Sequence, residues 1–176
     1  MPLPALYVVY DSRPARLVGG GARVITSSID IDRPPEDVFA YVAELDRHNE
    51  WQPAIVSGRK SPDGPTHVGT LNYETRKVPG GPREFVSEVV EFDAPRRIVA
   101  VAQNGPVRPR VTVEVAPLDG GARSRFTLSL DLKGHGIGVL FAMLARRSAR
   151  KVVPEDQKRL KAILESPSGP GPKPTS

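Results

Sequence analysis

Few residues of this chain could do chemistry, and the sharpest are two acids on one predicted strand. Glu88 shares its register with Val86, Val90 and Phe92, while Glu91 shares the other with Phe85 and Val89. Alternation therefore turns one of them toward a buried face. A carboxyl group in an apolar interior has a raised pKa and can serve as general base or acid in aldol-type cyclisation or dehydration. The competing reading is a bulged or edge strand with both acids in water. Tyr73, with Leu71 and Thr75 on its strand face, would place a phenol where it can orient a polar group of a ligand.

Other chemistries are excluded or weak. The chain has no cysteine, so thiolate metal sites, disulfides and cysteine nucleophiles are ruled out. Its three histidines, His48, His67 and His135, sit at a helix end, a strand start and a glycine-rich turn, with no metal-ligand spacing. Each reads as a solvated or loop residue, and no metal or other cofactor is expected. Gly134-His-Gly-Ile-Gly138 opens a helix after a strand, but its third glycine is out of register for a dinucleotide loop. A tight strand-to-helix turn explains it.

The elements that must carry these groups follow from periodicity. Ile25, Ser27, Ile29 and Ile31 alternate with polar residues as a half-buried strand. Pro34 and Pro35 end it and start a helix with Val38, Phe39, Val42 and Leu45 on one face, and a second short helical piece precedes Trp51 and Pro53. Strands are predicted near 55–60, 67–78, 83–93, 97–102, 108–117 and 123–133, separated by Pro, Gly and Asp turns, so an antiparallel meander is the economical topology. Val111, Val113 and Val115 share one face with Phe126, Leu128, Leu130 and Leu132 of the next strand. A C-terminal helix with Val139, Leu140, Met143, Leu144, Val152, Leu160, Ile163 and Leu164 is predicted to cover that face, with a kink or break at Pro154.

The 176 residues suit one domain, expected over 22–165, with a flexible or edge-strand extension over 1–21. Residues 166–176 are Pro- and Gly-rich and are expected to be disordered. The formal charge of +5 is local: Arg146 to Lys161 holds seven Lys or Arg against two acids. Without interleaved aromatics this face does not suggest nucleic acid. It is either a solvated face or, through Arg146, Arg147 and Arg150, a transient contact for an anionic membrane. No apolar run reaches the roughly 18–20 residues needed to span a bilayer, and a cytoplasmic location is expected.

Arg33-Pro-Pro-Glu-Asp-Val-Phe39, Trp51-Gln-Pro53, Val89-Val-Glu-Phe-Asp-Ala-Pro-Arg-Arg97 and Leu160-Lys-Ala-Ile-Leu-Glu165, in this order, resemble the START-like, Bet v 1-like (SRPBCC) superfamily. More narrowly, the chain resembles its bacterial polyketide cyclase/dehydrase and lipid-transport group. The resemblance implies an α+β helix-grip fold: a curved antiparallel sheet of about seven strands wrapped around a long C-terminal helix, with two short helices after the first strand. It also implies an apolar cavity for a small hydrophobic or amphipathic, lipid- or polyketide-like ligand. Trp51, Leu71, Tyr73, Val113, Phe126, Leu128, Leu140 and Leu144 are the expected lining, with core packing the competing reading for Trp51. Glu88, Glu91 and Tyr73 are the candidate catalytic groups, and a cyclase/dehydrase-type enzyme is the alternative to a carrier. A third reading is an interaction module binding anionic lipid or RNA through the basic C-terminal helix. Monomer and homodimer both remain open.

Overall fold

β1 (Val24–Ile31) keeps the predicted alternation, with Ile25 and Ile31 buried and Thr26 and Ser28 in water. The computed structural model describes residues 24–105, 107–134 and 138–167. The extension expected over 1–21, the turn around His135 and the tail from residue 168 lie outside the described residues. α1 (Pro35–Ala43) begins as its sequence dictates, with Pro35 at the first helical position and Glu36 and Asp37 in the first turn. A 3-10 turn over Leu45–Arg47 leads into the single turn of α2 (His48–Trp51).

The remaining strands are β2 (Ile55–Ser61), β3 (Leu71–Val78), β4 (Gly81–Asp93), β5 (Arg97–Ala102), β6 (Val107–Leu118) and β7 (Arg123–Gly134). They form one curved antiparallel sheet in the order β1-β7-β6-β5-β4-β3-β2, a meander closed on one side by β1. β3 starts at Leu71, later than the predicted residue 67. Before it the chain turns on local bonds: Thr66 Oγ1 donates to the Ala43 carbonyl (2.6 Å) and the His67 N–H to Thr70 Oγ1 (3.0 Å). Gly69, at φ +90°, takes the backbone where its N–H can reach the Val89 carbonyl at 2.7 Å.

α3 (Gly138–Glu165) is one continuous helix with Pro154 inside it, so the predicted break does not occur. The proline removes one N–H, that which would have bonded the carbonyl of Arg150, an exposed residue. The buried phase also differs from the predicted stripe. Ala142, Val153, Gln157, Leu160 and Leu164 are buried, with Ala149 and Ile163 packed beside them, whereas Leu140, Met143, Leu144 and Val152 face outward.

α3 packs most closely on β1 and β7. There the inner face is apolar: Ile31, Val115, Phe126 and Leu128 meet Leu160 and Leu164, joined by Val38, Phe39 and Val42 of α1. Full burial of side chains of this size is worth about 1.5–3 kcal/mol each. The helix is also latched by polar bonds. Ser27 Oγ donates to Gln157 Oε1 (2.6 Å) and Gln157 Nε2 returns to the Ser27 carbonyl (2.9 Å). At its C-terminus Arg33 Nε donates to the Leu164 carbonyl at 2.7 Å, a cation on the negative end of the helix.

Candidate functional site

The far half of the inner face, toward β3, is polar. On β3 the residues turned toward the helices are Asn72, Glu74 and Arg76, preceded by Thr70 just before the strand, and Thr70, Asn72 and Glu74 are buried. α2 answers them with His48 at its start and Gln52 at its C-cap, four residues apart. Glu74 Oε1 accepts from His48 Nδ1 (2.8 Å) and Asn72 Nδ2 (2.8 Å), and Oε2 accepts from Arg76 Nε (2.8 Å). Arg76 Nη2 extends the chain to Gln52 Oε1 at 3.0 Å. Gly58, opposite Glu74 on β2, lies against the Leu45–Arg47 turn, where a Cβ would make an ordinary contact 3.4 Å from the Leu45 carbonyl oxygen. That approach sets His48 over Glu74.

Burial raises the pKa of Glu74, but the His48 hydrogen bond, the charges of Arg76 and His48 and the Asn72 bond outweigh it, so its carboxyl is held well below the usual range. His48 Nε2 also faces an acceptor, the Val42 carbonyl, at 3.1 Å. The cluster is thus an ionised carboxylate held between the Arg76 guanidinium and the His48 ring, with the Glu74 side chain 8% exposed and that of Arg76 35%.

Asp156 completes it from α3. It lies about 100° around the helix from Gln157 and interacts electrostatically with Arg76. Burial pushes its carboxyl up to about 6, partly offset by Arg76 and Arg159. Its carboxyl makes no hydrogen bond among the described residues. Two further buried atoms have no partner there, Asn72 Oδ1 and Trp51 Nε1. Trp51 ties them to the core, its ring edge-on to His48 (5.6 Å) and Phe126 (6.2 Å). The cluster offers a free acceptor, a free donor, an unpaired carboxyl and a part-exposed guanidinium, all bordering apolar side chains.

The sequence expectations divide along the same line. Val113, Phe126 and Leu128 lie on the inner face, and Trp51 is buried within the core. Leu71 and Tyr73 fall on the outer face, because Asn72 and Glu74 take the inner register; the Arg59 guanidinium stands 3.7 Å over the Tyr73 ring. Glu88 and Glu91 are outer as well. Glu88 pairs with Leu71 and accepts from Gln103 (3.1 Å), and Glu91 accepts from Arg97 (2.8 Å). A register shift between Val89 and Glu91 is the reason that acids of opposite parity share one face. Leu140 and Leu144 are 63% and 60% exposed on the outer line of α3. His48, read as a helix-end residue in water, is part of the buried cluster. Sequence reasoning also missed Asn72, Glu74, Arg76 and Asp156. The available signal was three polar residues at two-residue spacing on β3, facing His48 and Gln52 at a spacing of four.

Residues 22–165 match the family described as polyketide cyclase / dehydrase and lipid transport. The chain belongs to this family. Among curated relatives of this polyketide cyclase / dehydrase member, a protein named as a toxin from Mycobacterium tuberculosis is 25% identical over 131 residues, 72% of this chain and 90% of that one. A START superfamily protein from Mycobacterium smegmatis superposes with a TM-score of 0.63 at 16% identity, covering 82% of this chain and 98% of the other. A Polyketide_cyc-like protein from Corynebacterium glutamicum gives 0.57 at 23%, covering 81% and 91%. These structures share the helix-grip fold of the family. Among the described residues no helix is long and apolar enough to cross a membrane, and no group of acids and histidines could hold a metal ion.

Proposed function

We propose that the protein binds a small amphipathic molecule between α3 and the β3–β5 half of the sheet, its apolar body against the core and its polar end against Arg76 and Asp156. The observation that carries this reading is the inner polar cluster, whose unpaired groups sit beside apolar side chains on the one side of the sheet that α3 does not closely cover. Buried polar groups without partners cost stability, and a ligand that satisfies them recovers that cost. Membership of a family that includes lipid-transport proteins supports the same reading. Native mass spectrometry of protein purified from its own host tests it. A reproducible small-molecule adduct that is lost or exchanged in a folded Asp156→Leu variant is expected; a protein that is reproducibly empty overturns the carrier reading.

Asp156 favours a second reading, proton transfer on a polyketide-like substrate. It is half-buried, unbonded and pushed up to about 6, the range in which a carboxyl can both take and return a proton near neutrality. Glu88 and Glu91 drop out of that role because they lie on the outer face. Under it, Asp156→Asn abolishes turnover of the bound molecule while leaving its adduct mass in place. The toxin name of the mycobacterial relative describes an effect on a cell rather than a bound molecule. Growth of a host strain expressing this chain, with and without Asp156→Leu, asks whether the inner site carries any such effect here.

A further inference from the structure

The outer line of α3 is unlike the rest of the surface. Leu140, Met143 and Leu144 are 63%, 59% and 60% exposed, and their spacing of three and four makes them one contiguous apolar patch. Arg147, Arg150 and Lys151 continue the same line over the next turns, all exposed. From Leu140 to Lys151 the strip spans about 16 Å at 1.5 Å per residue.

These three cations have no hydrogen bond or ion pair among the described residues, and residues 138–154 contain no acid. Several sheet arginines are matched, Arg97 by Glu91 and Glu114, Arg123 by Asp32 and Asp119, Arg125 by Asp30. Arg83, Arg108, Arg110 and Arg159 are exposed without an ion pair among the described residues, but have no exposed leucine or methionine beside them in the chain. Further along α3, Lys158 pairs with Glu155 and Lys161 with Glu165. Arg146, grouped by the sequence with Arg147 and Arg150, turns inward to donate to the Leu132 carbonyl and does not belong to the strip. Unmatched charge and exposed apolar surface therefore coincide on one helix face.

We propose that this strip docks the protein on an anionic membrane surface, with Leu140, Met143 and Leu144 entering the headgroup boundary and Arg147, Arg150 and Lys151 meeting lipid phosphates. An apolar patch continued by unpaired cations matches the two layers such a surface presents. A second copy seated on the same strip would gather six unmatched cations in one small interface. RNA would answer the cations and leave the apolar patch unused. Docking goes beyond the ligand reading, since it needs only the outer strip and not the inner cluster.

Flotation of the full chain with phosphatidylglycerol/phosphatidylcholine vesicles, against pure phosphatidylcholine, tests this. Binding to the anionic vesicles only, weakened by salt, is expected. Met143→Asp with Leu144→Asp, and separately Arg147→Glu with Arg150→Glu and Lys151→Glu, should each reduce it about tenfold or more. All five positions are exposed, and circular dichroism confirms that the variants fold. The proposal is overturned if the wild-type chain ignores anionic vesicles, or if both folded variants bind them as it does. It is equally overturned if the variants dissolve a dimer seen by light scattering while vesicle binding stands, which makes the strip an interface between copies. RNA binding that matches vesicle binding and survives Met143→Asp with Leu144→Asp overturns it too.

Discussion

The two halves of the inner sheet face obey opposite rules. On β1, β6 and β7, Ile31, Val115, Phe126 and Leu128 turn inward against α3 while polar residues turn out, the ordinary arrangement of a half-buried antiparallel sheet. On β3 the pattern is inverted: Asn72, Glu74 and Arg76 turn in, and Leu71 and Tyr73 turn out. Burying ions costs desolvation that an apolar replacement avoids, so an inward carboxylate held by a histidine and an arginine is poorly explained as a device for stability. The difference teaches that one sheet is both scaffold and site, with the division running across its strands.

The comparison breaks most sharply under two substitutions of similar size and different character. Phe126→Ala empties a fully buried position and should cost about 3–5 kcal/mol in denaturant unfolding. Glu74→Gln leaves Arg76 and His48 without their shared anion and should cost about 3–5 kcal/mol as well. Acid titration separates them. The folded-state pKa of Glu74 is lowered, so its stabilisation is fully present above the unfolded value, 4.5, and is lost as pH falls through the depressed folded value. Phe126→Ala should keep this acid-sensitive component, and Glu74→Gln should lack it. An unchanged acid profile in Glu74→Gln would show that the cluster contributes no ionic stabilisation.

The same division explains what the sequence could and could not disclose. The scaffold half was legible because apolar alternation, Pro35 at a helix start and the Trp51-Gln-Pro53 passage all agree with its burial. The site half was illegible to the same rule, which turns Tyr73 inward because it is the larger apolar side chain. That rule fails where function retains polar groups against local preference. The register shift in β4 then defeats a parity argument for Glu88 and Glu91, since one extra residue reverses every side chain beyond it. On α3 the sequence offered more apolar residues than the buried face uses, and Leu140, Met143 and Leu144 fell outside it.

Asp156 sharpens the comparison with a smaller effect of unusual sign. Its folded-state pKa is about 6 against an unfolded value of 3.8, so the folded state resists its ionisation. The cost applies above the folded value, shrinks as pH falls through about 6 and is gone below the unfolded value. Asp156→Asn should therefore stabilise the protein near neutrality by about 1 kcal/mol, discounted because the group is half exposed, and leave stability near pH 4 little changed. Unfolding midpoints at the two pH values check this. Gain of stability in Asp156→Asn, beside loss of ligand in Asp156→Leu, is the signature of a residue kept for the site. A loss of stability at neutral pH would make Asp156 one more packing residue.

The smallest effect belongs to the acids that the sequence favoured. Glu88 and Glu91 accept bonds from Gln103 and Arg97 on the outer face, where water shares the load. Their replacement by Gln, singly or together, should shift stability by no more than about 0.5 kcal/mol, the range of surface changes away from packed features. Ligand occupancy measured by native mass spectrometry should not change at all. Because β4 runs beside β3, these substitutions lie one strand from the inner cluster and differ from it only in the face they occupy. A lost adduct in the double variant would mean that the two faces communicate through the strand. Occupancy that tracks Asp156 and ignores Glu88 and Glu91 ties binding to the inner face.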